Sequence, residues 1–63
     1  MRIDSLKLRT EMFKQGLSQK KLAEMTGVSR VTINGIASGR SCRDELGMKI
    51  AYALGVKPDD LMP

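Results

Sequence analysis

An all-α fold is predicted by three observations on the sequence. Four glycines, Gly16, Gly27, Gly39 and Gly55, each follow a helical apolar pattern; Ser18 and Ser29 stand where helices would begin; and no stretch reads as a strand. Glycine adopts the left-handed conformation that ends a helix, and Leu17, Val28 and Val56 each follow such a glycine, placed to fold back on the helix just ended. Four stops imply four helices, with a short fifth after the last.

The first helix is expected near 5–15, carrying Leu8 and Met12 one turn apart before Gly16. Ser18 caps the second, near 19–26, and Leu17 lies five residues before Leu22, the spacing of a hydrophobic staple. The same arrangement recurs for the third helix, near 30–38, with Ser29 as cap and Val28 paired to Ile33. Ser41 with Asp44 three residues later resembles a capping box for a fourth helix near 42–54, and Pro58 suits the first position of a fifth near 58–62. The connections are too short for a linker or a repeat, so residues 1–63 read as a single domain. Its expected core is Leu8, Met12, Leu17, Leu22, Ala23, Val28, Ile33, Ile36, Leu46, Ile50, Leu54, Val56 and Leu61, a compact five-helix bundle.

Composition narrows the function. With 63 residues, one cysteine and no histidine, the chain has no internal disulfide and no plausible zinc set, and neither serine nor cysteine has the usual activating base. An enzyme is therefore not expected, nor a cofactor, a metal or a small-molecule ligand. No apolar run approaches the length of a membrane span, and "MRIDSLKLRT" lacks the apolar block of a signal peptide, which makes the cytoplasm the default location. Eleven Lys and Arg against seven Asp and Glu give a net charge of +4, which favours an anionic partner.

The second and third helices are separated only by "GVS", the spacing of a helix-turn-helix. On a helical wheel Ile33, Ile36 and Ala37 cluster on one side of the third helix, and Val31, Asn34, Gly35 and Ser38 fall on the other. An interior glycine costs a helix about 1 kcal/mol relative to alanine, and a cation in the first turn, here Arg30, opposes the dipole. Both make sense if this helix must approach an anionic surface closely, as a helix in the major groove does. Lys20, Lys21 and Arg43 repeat the offence at the starts of the second and fourth helices, where orphan amides and cations together favour phosphates.

The stretch "GLSQKKLAEMTGVSRVTINGIASGR", with the closing "IAYALGVKPDDLM", resembles the Xre-type helix-turn-helix family of phage repressors and Cro proteins, over nearly the whole chain. The resemblance implies a lambda-repressor-like domain that binds a pseudo-palindromic double-stranded DNA operator as a dimer and regulates transcription. It places Arg30, Val31 and Gly35 toward base edges, Gln19 on a phosphate in support of Arg30, and Ser38, Arg40 and Arg43 beside the backbone. Thr32 and Asn34 join the base-reading set, and Ser18 and Lys20 the phosphate set. Arg30 is suited to a bidentate pair with guanine, and Val31 to a thymine methyl.

Three departures from the family pattern carry expectations of their own. Gly35 replaces a longer reading side chain, which shifts weight toward readout of DNA shape. Met12 and Ala37 stand where relatives carry a buried arginine and glutamate, and are expected to touch as an apolar substitute for that ion pair. Pro58 and Asp60 stand where some phage repressors place apolar dimer contacts, leaving Tyr52 and Met62 as exposed apolar candidates and a free chain that is monomeric or weakly dimeric. An alternative of another class is a protein-interaction module such as an antitoxin. Cys42, near Arg40, Arg43 and a helix start, reads as an incidental small residue, with a lowered thiol pKa and a redox role as the sharper alternative.

Overall fold

A computed structural model describes all 63 residues, and the helices follow in the expected order: α1 Ser5–Lys14, α2 Gln19–Thr26, α3 Arg30–Ala37 and α4 Asp44–Leu54, then a single 3-10 turn over Pro58–Leu61. No strand is present, and no helix is long and apolar enough to cross a membrane. Ser18 Oγ accepts the Lys21 amide at 3.0 Å, and Ser29 Oγ accepts the Thr32 amide at 3.2 Å, each satisfying a donor that its helix leaves free. Asp4 does the same for α1, its carboxylate accepting the amides of Leu6 and Lys7 at 2.9 and 3.1 Å.

The helix ends also obey the glycines, all four of which have φ between 65° and 107°. Beyond Gly16, Gly39 and Gly55 the next amide reaches back to the carbonyl five residues earlier. Leu17 bonds Met12 at 2.9 Å, Arg40 bonds Gly35 at 3.0 Å and Val56 bonds Ala51 at 3.0 Å. This pattern ties the residue after the glycine to the last full turn of its helix.

The last two elements depart most from the expected ones. Helix α4 starts at Asp44, not near 42, and Ser41 and Asp44 form no capping box; the N-cap is Arg43, whose side chain makes no capping hydrogen bond. The cause is a competing partner. The Met1 amine donates to the Cys42 carbonyl at 2.7 Å and lies 3.1 Å from the Asp44 carboxylate, while the Cys42 amide bonds the Met1 carbonyl at 2.8 Å. Met1 thus holds Cys42 and takes up the Asp44 carboxylate that a capping box with Ser41 would use. Gly47 belongs to the same arrangement, because a Cβ there would collide with the Met1 sulfur. The expected last helix is the short 3-10 turn, with Pro58 in its first position.

The core gathers Leu8 and Met12 from α1, Leu22 from α2, Ile33, Ile36 and Ala37 from α3, Ile50, Ala51 and Leu54 from α4, and Leu61. Leu17, Ala23, Val28, Leu46 and Val56 line its edge, half-buried rather than central. Ile3 is an addition, 1% exposed ahead of α1 in a segment with no helical periodicity, where the Asp4 amide bonds the Leu61 carbonyl at 2.7 Å.

Helix α1 and its C-cap residue Gln15 also serve the other elements with their polar side chains. Arg9 Nε donates to the Ala37 carbonyl at 3.0 Å, Gln15 Nε2 to the Leu54 carbonyl at 2.6 Å, and Lys7 Nζ to the Met62 carbonyl at 2.7 Å. Each of these carbonyls lies at or just past the end of α3, α4 or the 3-10 turn, where intrahelical partners run out. One helix and its cap thus close the C-termini of three other elements.

Met12 and Ala37, 7% and 1% exposed, lie in the same apolar cluster, with α1 packed against α3. A charge introduced at either position would be buried without a partner. Ala37→Glu is expected to destabilise the fold by roughly 3–5 kcal/mol, and Met12→Arg by less, since its stem can carry the charge outward. The double mutant should recover part of the loss in a urea-unfolding cycle; strictly additive losses would mean that the two side chains do not meet.

Candidate nucleic-acid interface

The site begins with the rotation of α3 about its own axis. Ile33, Ile36 and Ala37 are at most 2% exposed, and with 100° between successive residues their burial turns Val31, Asn34 and Gly35 outward, while Arg30 is exposed because it is the first residue of the helix. Val31 remains 81% exposed. Burying a valine would contribute roughly 1.5–3 kcal/mol, so the fold leaves an apolar group in water on this helix without a packing reason.

Helix α2 holds α3 in this attitude across a three-residue turn. Gly27 has φ 71° and donates its amide to the Ala23 carbonyl at 2.9 Å, and Val28 is half-buried against the core. Two short helices are thereby joined at a fixed angle, with Leu22 and Ile33 both fully buried.

The structure brings Val31, Thr32, Gly35, Arg40 and Arg43 to one open groove, between the outer face of α3, the 38–43 loop and the start of α4. Arg30, Asn34 and Ser38 are exposed but lie outside that groove, and Ser18, Gln19 and Lys20 sit at the start of α2. Gly35 is half-buried beneath the Arg40 side chain. The Thr32 hydroxyl already shares a 2.8 Å hydrogen bond with Ser29 Oγ, which leaves part of its capacity for an outside partner. Glu45 and Lys49, one helical turn apart on α4, add a charged pair of positions to the groove wall. Their four-residue spacing was the available sign that they share a face.

The cations around the groove are free. The only ion pair joins Met1 to Asp44, and no side-chain hydrogen bond engages Lys20, Arg30, Arg40 or Arg43, all of them exposed. Unpaired guanidinium and ammonium groups clustered around the starts of α2, α3 and α4 form a positive surface for an extended anion.

A family model described as helix-turn-helix matches residues 7–61. Among solved structures, the restriction-modification controller protein C.AhdI from Aeromonas hydrophila is similar at 32% identity and a TM-score of 0.86, over 92% of this chain and 89% of that one. A hydroxyethylphosphonate dioxygenase variant is similar at 24% identity and a TM-score of 0.87, and a cadmium-containing structure of PhpD at 24% and 0.85. Both cover all of this chain but only 14% of theirs, and at that identity the likeness is one of fold alone. No curated protein sequence matches at a significant level.

Cys42 lines the same groove, and its thiol behaves opposite to the activated alternative. Burial pushes its pKa up; the Met1 amine works against that rise and the Asp44 carboxylate adds to it, and neither Arg40 nor Arg43 counters it. A raised pKa means that the thiol, not the nucleophilic thiolate, prevails at neutral pH. Alkylation by iodoacetamide at pH 7 is expected to run slower in the folded chain than in urea, and to accelerate as pH rises past the ordinary cysteine value. Faster labelling of the folded chain at pH 7 would contradict this.

Proposed function

The chain belongs to the helix-turn-helix family, and from that premise we propose that it is a sequence-specific transcriptional regulator that inserts α3 into the major groove of double-stranded DNA. The single observation that carries this reading is the exposed side of α3, where Val31 and Thr32 adjoin the Arg40 side chain laid over Gly35, with Arg30 exposed at the helix start. Similarity to a controller protein of restriction-modification supports regulation as the outcome of binding.

The roles follow from chemistry. Arg30, the first residue of α3, presents five fixed donors suited to guanine O6 and N7. Val31 offers only methyl groups and pairs with thymine. Thr32 contributes a partly engaged hydroxyl, and Asn34, on the helix flank, reaches a base edge or the adjoining sugar. Ser18, Gln19 and Lys20 at the start of α2, with Ser38 and Arg43 beyond α3, hold phosphates on either side. Their contribution is position and salt-dependent affinity, not sequence preference.

Two copies on half-sites roughly 34 Å apart fit a pseudo-palindromic operator. Tyr52, 89% exposed, and Met62, 38% exposed, are the contact candidates, and Tyr52 shares a groove with the exposed Met25 and Met48. A second reading, a protein-binding module of the antitoxin kind, draws on Leu6 and Phe13. These lie seven residues apart on α1 and are 72% and 87% exposed, an apolar stripe that DNA binding does not use.

Selection from a random duplex pool at moderate salt tests the proposal: a recurring motif with two-fold symmetry is expected, and a pool that stays unenriched would remove sequence-specific binding. On the selected site, Arg30→Ala should cost roughly 1–3 kcal/mol and relax one guanine preference, measured on a panel of single-base variants. Arg43→Ala should weaken every member of the panel alike and lower the slope of log affinity against log salt by about one unit. An unchanged slope would return Arg43 to ordinary solvated surface. Sedimentation of the chain with the full site should show two copies per duplex; a one-to-one complex would exclude dimeric recognition.

A further inference from the structure

Three glycine stops in this chain share one hydrogen-bond pattern, and one of them differs in what it brings together. At Gly16 and Gly55 the returning residue is apolar, Leu17 over Met12 and Val56 over Ala51, and each pair closes on the core. At Gly39 the returning residue is Arg40 and the residue beneath it is Gly35. The Arg40 amide bonds the Gly35 carbonyl at 3.0 Å, and its side chain then runs back across the helix. Arg40 Cδ lies 3.2 Å from where a Cβ of residue 35 would stand, with Nε and Nη1 at 3.8 and 3.9 Å.

The side chain missing from position 35 is therefore replaced from the loop. We infer that Arg40 is a specificity-determining residue that reads a base edge from the place a side chain at position 35 would occupy. Gly35 is present to let it lie flat against α3. This rests on the proposed major-groove insertion of α3 and goes beyond it, because it takes Arg40 from the phosphate set into the reading set.

Position and chemistry both favour a base over a phosphate. Gly35 follows Val31 by four residues, so the guanidinium sits one turn, about 5 Å, further along the stripe that faces the groove floor. Val31, Thr32, Gly35 and Arg40 line one continuous surface. The guanidinium has no protein hydrogen bond or ion pair, so its donors are available. A planar fork held on bare helix backbone is also pre-organised, losing less rotamer freedom on binding than an arginine waving from a loop.

The experiment compares the wild type, Arg40→Gln and Gly35→Ala on a complete single-base-variant panel of the selected duplex, with thermal unfolding as a control for the fold. An arginine reader prefers guanine and a glutamine reader adenine. Arg40→Gln should thus change the preferred base at one pair, with discrimination there shifting by roughly 5- to 150-fold, and leave preference at the Arg30 pair intact. Gly35→Ala, whose methyl must push the arginine stem off the helix by a few tenths of an ångström, should reduce discrimination at the same pair while melting at or above the wild-type temperature, since alanine favours the helix. Uniform weakening of the panel by Arg40→Gln, with no change of preferred base, would overturn the inference and leave Arg40 on a phosphate while the α3 reading stands. A wild type that prefers no duplex at all would remove both.

Discussion

The rotational setting of α3 is the constraint from which the rest of the site follows. Ile33 and Ile36 are buried to 2% exposure or less, beside Leu22 and the α4 residues Ile50 and Leu54. Each fully buried side chain contributes roughly 1.5–3 kcal/mol, while a turn of α3 by one residue would carry Asn34 into the core and Ile33 into water. That loss is comparable with the whole stability of a domain of this size. The face proposed to read DNA is thus the complement of the buried face, and its chemistry can vary without touching the fold.

The other elements act on that one helix from outside. Helix α2 sets its angle through the Gly27 turn, and Ser29 secures its first turn. Helix α1 closes its last turn through Arg9 on the Ala37 carbonyl, and the Gly39 stop returns the chain over Gly35. In a chain of 63 residues such side-chain bonds to helix ends do work that a larger core would do elsewhere. Their distribution matters as much as their number, because they fall on helix ends that a fraying α3 would lose first.

What was legible in the sequence was local. The left-handed glycines, the serine caps and the 3.6-residue pattern of α3 act within one turn of themselves, and the elements they mark formed within a residue or two of the expected bounds. What escaped depends on residues far apart in the chain. The start of α4 moved because Met1 engages Cys42 and Asp44; Ile3 is buried without any periodicity of its own; and the Arg9 bond to Ala37 spans 28 residues. Within the candidate site, the exposure of Val31, Asn34 and Ser38 was readable from the helical wheel, and that of Arg30 from its place at the helix start. The contact of Arg40 with Gly35 was not, although its sign was there: of the four glycine stops, Gly39 is the one followed by a charge. At Cys42 the raised thiol pKa speaks against the activated alternative that its neighbouring arginines offered, and leaves the reading of an incidental small residue in place.

The proposed contact is between DNA and the face of α3 opposite Ile33 and Ile36. Amide chemical-shift changes in the 15N-labelled chain, followed as it is titrated with its selected duplex, map that contact residue by residue. The largest changes are expected on residues 18–21, 29–35 and 38–43, with Leu6, Phe13 and the buried positions of α1 little affected. Changes concentrated instead on the Leu6 and Phe13 stripe or around Tyr52, with residues 29–35 silent, would contradict it.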